Sequence, residues 1–73
     1  MGLIVRTPGV LNGKACVAGT RISVEYILEL LEDGHAIDEI VAEHDQLTRD
    51  AVEAAIAYAR EALQRAEAQP AAK

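Results

Sequence analysis

The chain has no tryptophan and no phenylalanine, and Tyr26 and Tyr58 are its only aromatic residues, which excludes a core built around large rings. Cys16 is the single cysteine, so no disulfide can close within the chain. With His35 and His44 as the only imidazoles, the soft ligands fall short of a four-ligand structural zinc site, and Cys16 reads as a small buried hydrophobe. No apolar stretch approaches the roughly 20 residues that cross a bilayer. No charged start followed by an apolar run marks a secretory signal. The expectation is therefore a cytoplasmic protein with no membrane segment. No glycine loop of the Walker or dinucleotide type is present, and nothing sets Cys16 beside a histidine and an oxyanion hole. These absences predict a protein that is not an enzyme and uses no metal or cofactor.

What is present is a chain of 73 residues, 51% hydrophobic, with alanine supplying most of the excess. That length makes one domain with an aliphatic, close-packed core and a thin stability margin, which dimerisation would widen. The net charge of −5 opposes a nonspecific nucleic-acid coat, because phosphate neutralisation needs clustered Lys and Arg. Its distribution says more. Residues 1 to 22 carry Arg6, Lys14 and Arg21 with no acidic side chain, while residues 23 to 73 carry four basic and twelve acidic ones: a +3 arm on a −8 body. Two surfaces with different partners, or an arm resting on a neighbouring acidic body, fit this asymmetry.

The spacing predicts a mainly α domain: an N-terminal β arm and connector over 1–22, a three-helix body over 23–66, and a frayed tail over 67–73. Leu3-Ile4-Val5 is rich in β-formers and ends at the turn Thr7-Pro8-Gly9. Val10-Leu11 resumes extension before Asn12-Gly13, a dipeptide suited to a type I′ turn, giving a short strand or hairpin whose edge a second chain's arm would satisfy. Helical spacing of Val24, Ile27, Leu28 and Leu31 starts after Ser23, the expected cap, and stops at Gly34, with Ile22 and Ile27 placed to form a hydrophobic staple. A short, weakly held second helix carries Ile37, Ile40 and Val41. It starts at Ala36, which cannot cap, although Glu39 can reach back to a backbone amide. Thr48 caps a third helix with Val52, Ile56, Ala59 and Leu63 in alternating steps that suit a helix–helix seam.

The run Gly13-Lys14-Ala15-Cys16-Val17-Ala18-Gly19-Thr20-Arg21-Ile22, followed by this helix pattern and ending at Ala57-Tyr58-Ala59, resembles the domain-of-unknown-function 433 family across roughly residues 8 to 63. That resemblance implies a homeodomain-like, helix-turn-helix fold and a VapB-like antitoxin of a type II toxin–antitoxin pair. Relatives often carry Pro where Ala15 stands, Arg where Ala18 stands and Ser or Thr where Ala36 stands. The activity implied is neutralisation of a PIN-like ribonuclease toxin by protein contact, with repression of the antitoxin's own operon through DNA. A stand-alone helix-turn-helix regulator and a non-catalytic acidic adaptor are the alternatives.

Candidate residues divide accordingly. In a helix-turn-helix reading, Thr48 and Arg49 at the start of the third helix face DNA, with Asp50 and Glu53 beside them repelling the backbone. Arg6, Lys14 and Arg21 from two paired arms would make a positive patch for operator DNA; alternatively Arg21 pairs with a helix carboxylate and Lys14 is merely solvated. For the toxin, whose metal-binding acidic site the resemblance implies, Arg60, Arg65 and Lys73 are the candidates, since guanidinium grips carboxylates. The alternative for Arg60 and Arg65 is helix support, through Glu53, Glu61 or Glu67 or by favouring the helix C-terminus. Gly13, Gly19, Thr20, Ser23, Gly34 and Thr48 are expected to shape the backbone. A homodimer, the toxin and operator DNA are the expected partners.

Overall fold

The computed structural model describes residues 2–68. Two short strands, β1 (Ile4–Arg6) and β2 (Ala15–Val17), precede three helices, α1 (Val24–Glu32), α2 (Ile37–Glu43) and α3 (Arg49–Ala68). The mainly α architecture with an N-terminal hairpin is the one anticipated.

The hairpin is closed by different residues from those anticipated. β1 pairs antiparallel with β2, matching Ile4 to Val17, Val5 to Cys16 and Arg6 to Ala15. Val10 has an extended backbone (φ −109°, ψ 116°), but neither Val10 nor Leu11 joins the sheet. They enter consecutive turns in which the Gly13 N–H donates to the Val10 carbonyl at 2.9 Å and the Lys14 N–H to the Leu11 carbonyl at 3.1 Å. The Asn12-Gly13 turn itself forms as expected, with positive φ at both residues (57° and 77°). It follows a first turn closed by the Val10 N–H on the Thr7 carbonyl at 3.0 Å and leads directly into the returning strand, the β-prone Ala15-Cys16-Val17. The strands therefore pair within one chain, and β1 keeps one open edge.

After β2 the chain reverses at Gly19, whose φ of 79° is the left-handed conformation that a type II turn demands at its third position. Thr20 locks this turn: its hydroxyl donates to the Val17 carbonyl at 2.9 Å and accepts from the Ile22 N–H at 3.0 Å. The Val17 N–H reaches the Ile22 carbonyl at 2.9 Å, so the connector is an extension of the hairpin. It delivers Ser23 as the cap of α1, where Oγ accepts from the Tyr26 N–H at 2.9 Å.

α1 ends in a Schellman closure. The Gly34 N–H donates to the Leu31 carbonyl at 3.0 Å and the His35 N–H to the Leu30 carbonyl at 3.1 Å. Gly34 sits at φ 99°, and a Cβ there would meet nothing within 4 Å. Gly34→Ala is therefore expected to lower unfolding free energy by about 1 kcal/mol through backbone strain alone. A urea titration showing no change would contradict that.

α2 starts at Ala36 without a side-chain cap; the compensation is the Glu39 Oε1, which accepts from the Ala36 N–H at 2.8 Å. Ala36 has extended φ/ψ of −78° and 156°, the conformation a serine cap uses. Ala36→Ser should therefore stabilise by about 1 kcal/mol, read as a higher urea midpoint at unchanged m-value. At α3 the Thr48 Oγ1 accepts from the Ala51 N–H at 3.1 Å, the expected cap.

The core is aliphatic. Its largest fully buried side chains are Ile27, Ile40 and Val52, one from each helix, joined by Val17, Val24, Leu47, Ala51 and Ala55. Alanine at 51 and 55 lets α3 lie close to its neighbours, and α3 contacts α1, α2 and both strands. Cys16 is buried, and its thiol donates to the Lys14 carbonyl at 3.3 Å. The helix of α3 continues through Glu67 and Ala68, two residues into the stretch expected to fray.

Candidate functional site

The α2–α3 corner has the outline of a helix-turn-helix, but its surface is acidic. Arg49 is held by Asp38 (Nη2–Oδ1, 2.8 Å) and by Glu53 one turn along α3 (Nη1–Oε2, 3.4 Å). Exposed pairs of this kind stabilise by only about 0–1 kcal/mol each, so the guanidinium can be released, yet Asp38, Asp50 and Glu53 stay around it. Thr48 uses its hydroxyl as a cap. His44 closes the corner against α1. Its Nδ1 lies 2.9 Å from the Ile40 carbonyl, which can only accept, so in the neutral ring the proton sits there and Nε2, 3.4 Å away, can accept from the Tyr26 hydroxyl. The ring is thus engaged at both nitrogens. Among the described residues no three His, Cys, Asp or Glu are grouped as a metal site would need.

The arm does not gather its three cations within one chain. Arg6 donates from Nε to the Gly13 carbonyl at 2.8 Å and bridges the two ends of the hairpin loop. Lys14 pairs with Glu25 at 3.0 Å, with both side chains exposed. Arg21 is exposed and has no ion pair among the described residues. This reverses the bland alternative, in which Arg21 was the paired cation and Lys14 the solvated one. Arg21 instead lines a pocket of about 430 Å³ together with the Val5–Cys16 cross-strand pair and Gln46 from the α2–α3 turn.

A different surface lies at the far end of α3. Twenty residues at 1.5 Å each make a helix of about 30 Å, longer than the body beneath it. The face that is buried at Val52 and half-buried at Ile56 and Ala59 runs on into solvent at Leu63, which is 59% exposed. Arg60 and Arg65 are exposed on this stretch and have no ion pair among the described residues, so support through Glu53, Glu61 or Glu67 does not form, while Arg65 stands in the last described turn of α3, where a cation favours the helix C-terminus. Lys73, the third toxin-facing candidate, lies outside the described residues. Sequence spacing identified the Leu63 seam, whereas the Arg21 pocket depends on Gln46 meeting the hairpin, which no local pattern encodes.

Residues 4–59 match the family described as "Protein of unknown function (DUF433)". The chain belongs to the DUF433 family. The match spans the hairpin, the connector and the helices through Ala59, and stops where α3 leaves the body. Among solved structures, this DUF433 chain is similar to a DUF433 member protein from Anabaena variabilis: 32% identity, a TM-score of 0.79, and coverage of 94% of this chain and 71% of that one. No curated protein matches it. The family description assigns no catalytic activity. Among the described residues of this DUF433 protein, no helix is long and apolar enough to cross a membrane.

Proposed function

We propose that this DUF433 protein is the antitoxin of a type II pair and neutralises a PIN-like ribonuclease toxin through direct protein contact. The observation that carries the reading is the overhanging end of α3: an exposed Leu63 with the exposed Arg60 one turn before it on the same face, a cation that has no ion pair among the described residues. An apolar anchor beside a guanidinium is the composition of a protein-binding hot spot, and it suits a partner that presents carboxylates. The resemblance to VapB-like antitoxins supplies the toxin's chemical class.

Operator binding is the second half of the proposal and requires help. The −8 body and the engaged Arg49 leave the α2–α3 corner unfavourable for phosphate, so the toxin subunit or the arms of a dimer must supply positive charge. The open edge of β1 and the thin core favour a homodimer, which light scattering at micromolar concentration tests directly; a monomer there removes it.

The deciding experiment is co-expression of the N-terminally tagged protein with the reading frame adjacent to its gene. Co-purification, together with RNA cleavage by the partner alone that the complex suppresses, supports the antitoxin. Absence of both overturns it. Salt-sensitive binding of the isolated protein to its own promoter would then favour a stand-alone regulator, and capture by basic proteins an acidic adaptor.

A further inference from the structure

We infer that the Arg21 pocket is a binding site for a segment of another protein that carries a carboxylate beside an apolar residue. The inference is independent of the antitoxin reading. The pocket, about 430 Å³, is shaped by three separate parts of the chain: the hairpin face, the Gly19–Arg21 turn and the α2–α3 corner.

Its polar groups are unequally occupied. The Thr20 hydroxyl and the Cys16 thiol are consumed by backbone carbonyls of their own hairpin. Arg21, Gln46 and Thr7 also line the pocket, and none of them makes a side-chain hydrogen bond among the described residues. No acidic residue contributes to the lining. The free polarity is therefore dominated by a guanidinium, which can only donate and which matches a carboxylate bidentately.

The walls select further. Val5 and Val10 face the pocket, and Val5 is 37% exposed. Apolar walls lower the local dielectric and strengthen an ion pair relative to open water. Arg21 is the only cation in the lining, Lys14 is paired with Glu25, and Arg6 is bonded to the Gly13 carbonyl. One cation between valines suits one carboxylate with an apolar neighbour, not a phosphate chain, which needs a row of cations.

The test is an NMR titration of the ¹⁵N-labelled full chain with Ac-Thr-Val-Glu-Val-Thr-NH₂, its Gln analogue and inorganic phosphate. The expected result is that the Glu peptide shifts the amides of Val5, Arg21 and Gln46, and that the Gln peptide binds about fivefold more weakly. Arg21→Gln should abolish that difference, whereas Lys14→Gln should preserve it. Equal binding of the two peptides, or no shift at about 20 mM peptide, overturns the proposal. So does phosphate moving the same amides as strongly, which would assign the pocket to phosphate. No toxin enters this titration, so its failure leaves the co-purification result standing.

Discussion

Ile40→Ala is expected to lower the unfolding free energy by about 3 kcal/mol, the loss usual for truncating a fully buried isoleucine to alanine. Ile40 is 0% exposed and is the only fully enclosed side chain that α2 contributes to the core. The seven-residue helix has no side-chain cap, so little else holds it once that anchor is gone. Domains of this size have total stabilities near the low end of about 5–15 kcal/mol. The loss should therefore lower Tm by roughly 10–25 °C. Urea denaturation with an unchanged m-value would confirm a stability change, and a loss below about 1 kcal/mol would show that α2 repacks around the smaller side chain. Because the corner that holds Arg49 and Gln46 hangs on α2, the same variant should also broaden the amide resonances of those residues.

Leu63→Gln is expected to do the opposite: stability within about 0.5 kcal/mol of the parent, but affinity for the proposed toxin partner reduced roughly 10- to 100-fold. Leu63 is 59% exposed on the overhang of α3, so its removal costs little folding energy, and glutamine keeps the helix propensity. In a protein interface the same side chain would be a central apolar anchor, and its loss would leave Arg60, one turn away, without a dry neighbour. Arg60→Gln should weaken the complex less, and the two substitutions together should deviate from additivity, since both sit in one patch. Binding is measured by calorimetry on the purified complex partners, with thermal unfolding of each variant alongside. Unchanged affinity in Leu63→Gln would move the contact surface away from the α3 overhang.

The starts of α1 and α3 and the stop of α1 are legible in the chain because capping is local chemistry. Ser23 and Thr48 accept from the amides three residues on, and Gly34 adopts the positive φ that closes α1. The hairpin was half legible. The Asn12-Gly13 turn was identifiable from its dipeptide, but its strand partner was not, because Val10-Leu11 and Ala15-Cys16-Val17 are both β-prone. Which of them pairs with β1 depends on where Val17 and Ile4 must sit to pack on the helices.

The candidate sites show the same division. Composition alone established a basic arm on an acidic body, an aliphatic core without large aromatics, and the amphipathic periods of the helices. These properties belong to the covalent chain or to neighbours within a turn of helix. Tertiary structure alone decided which cations are occupied. It brings Asp38, eleven residues distant, to Arg49, and Glu25 to Lys14, yet leaves Arg21 without an ion pair among the described residues, beside Val5 and Gln46. It also decided that the stripe through Val52 and Leu63 changes from core to surface midway, because the body ends before α3 does. Periodicity records which residues share a face; only the packed neighbours determine whether that face meets protein or water.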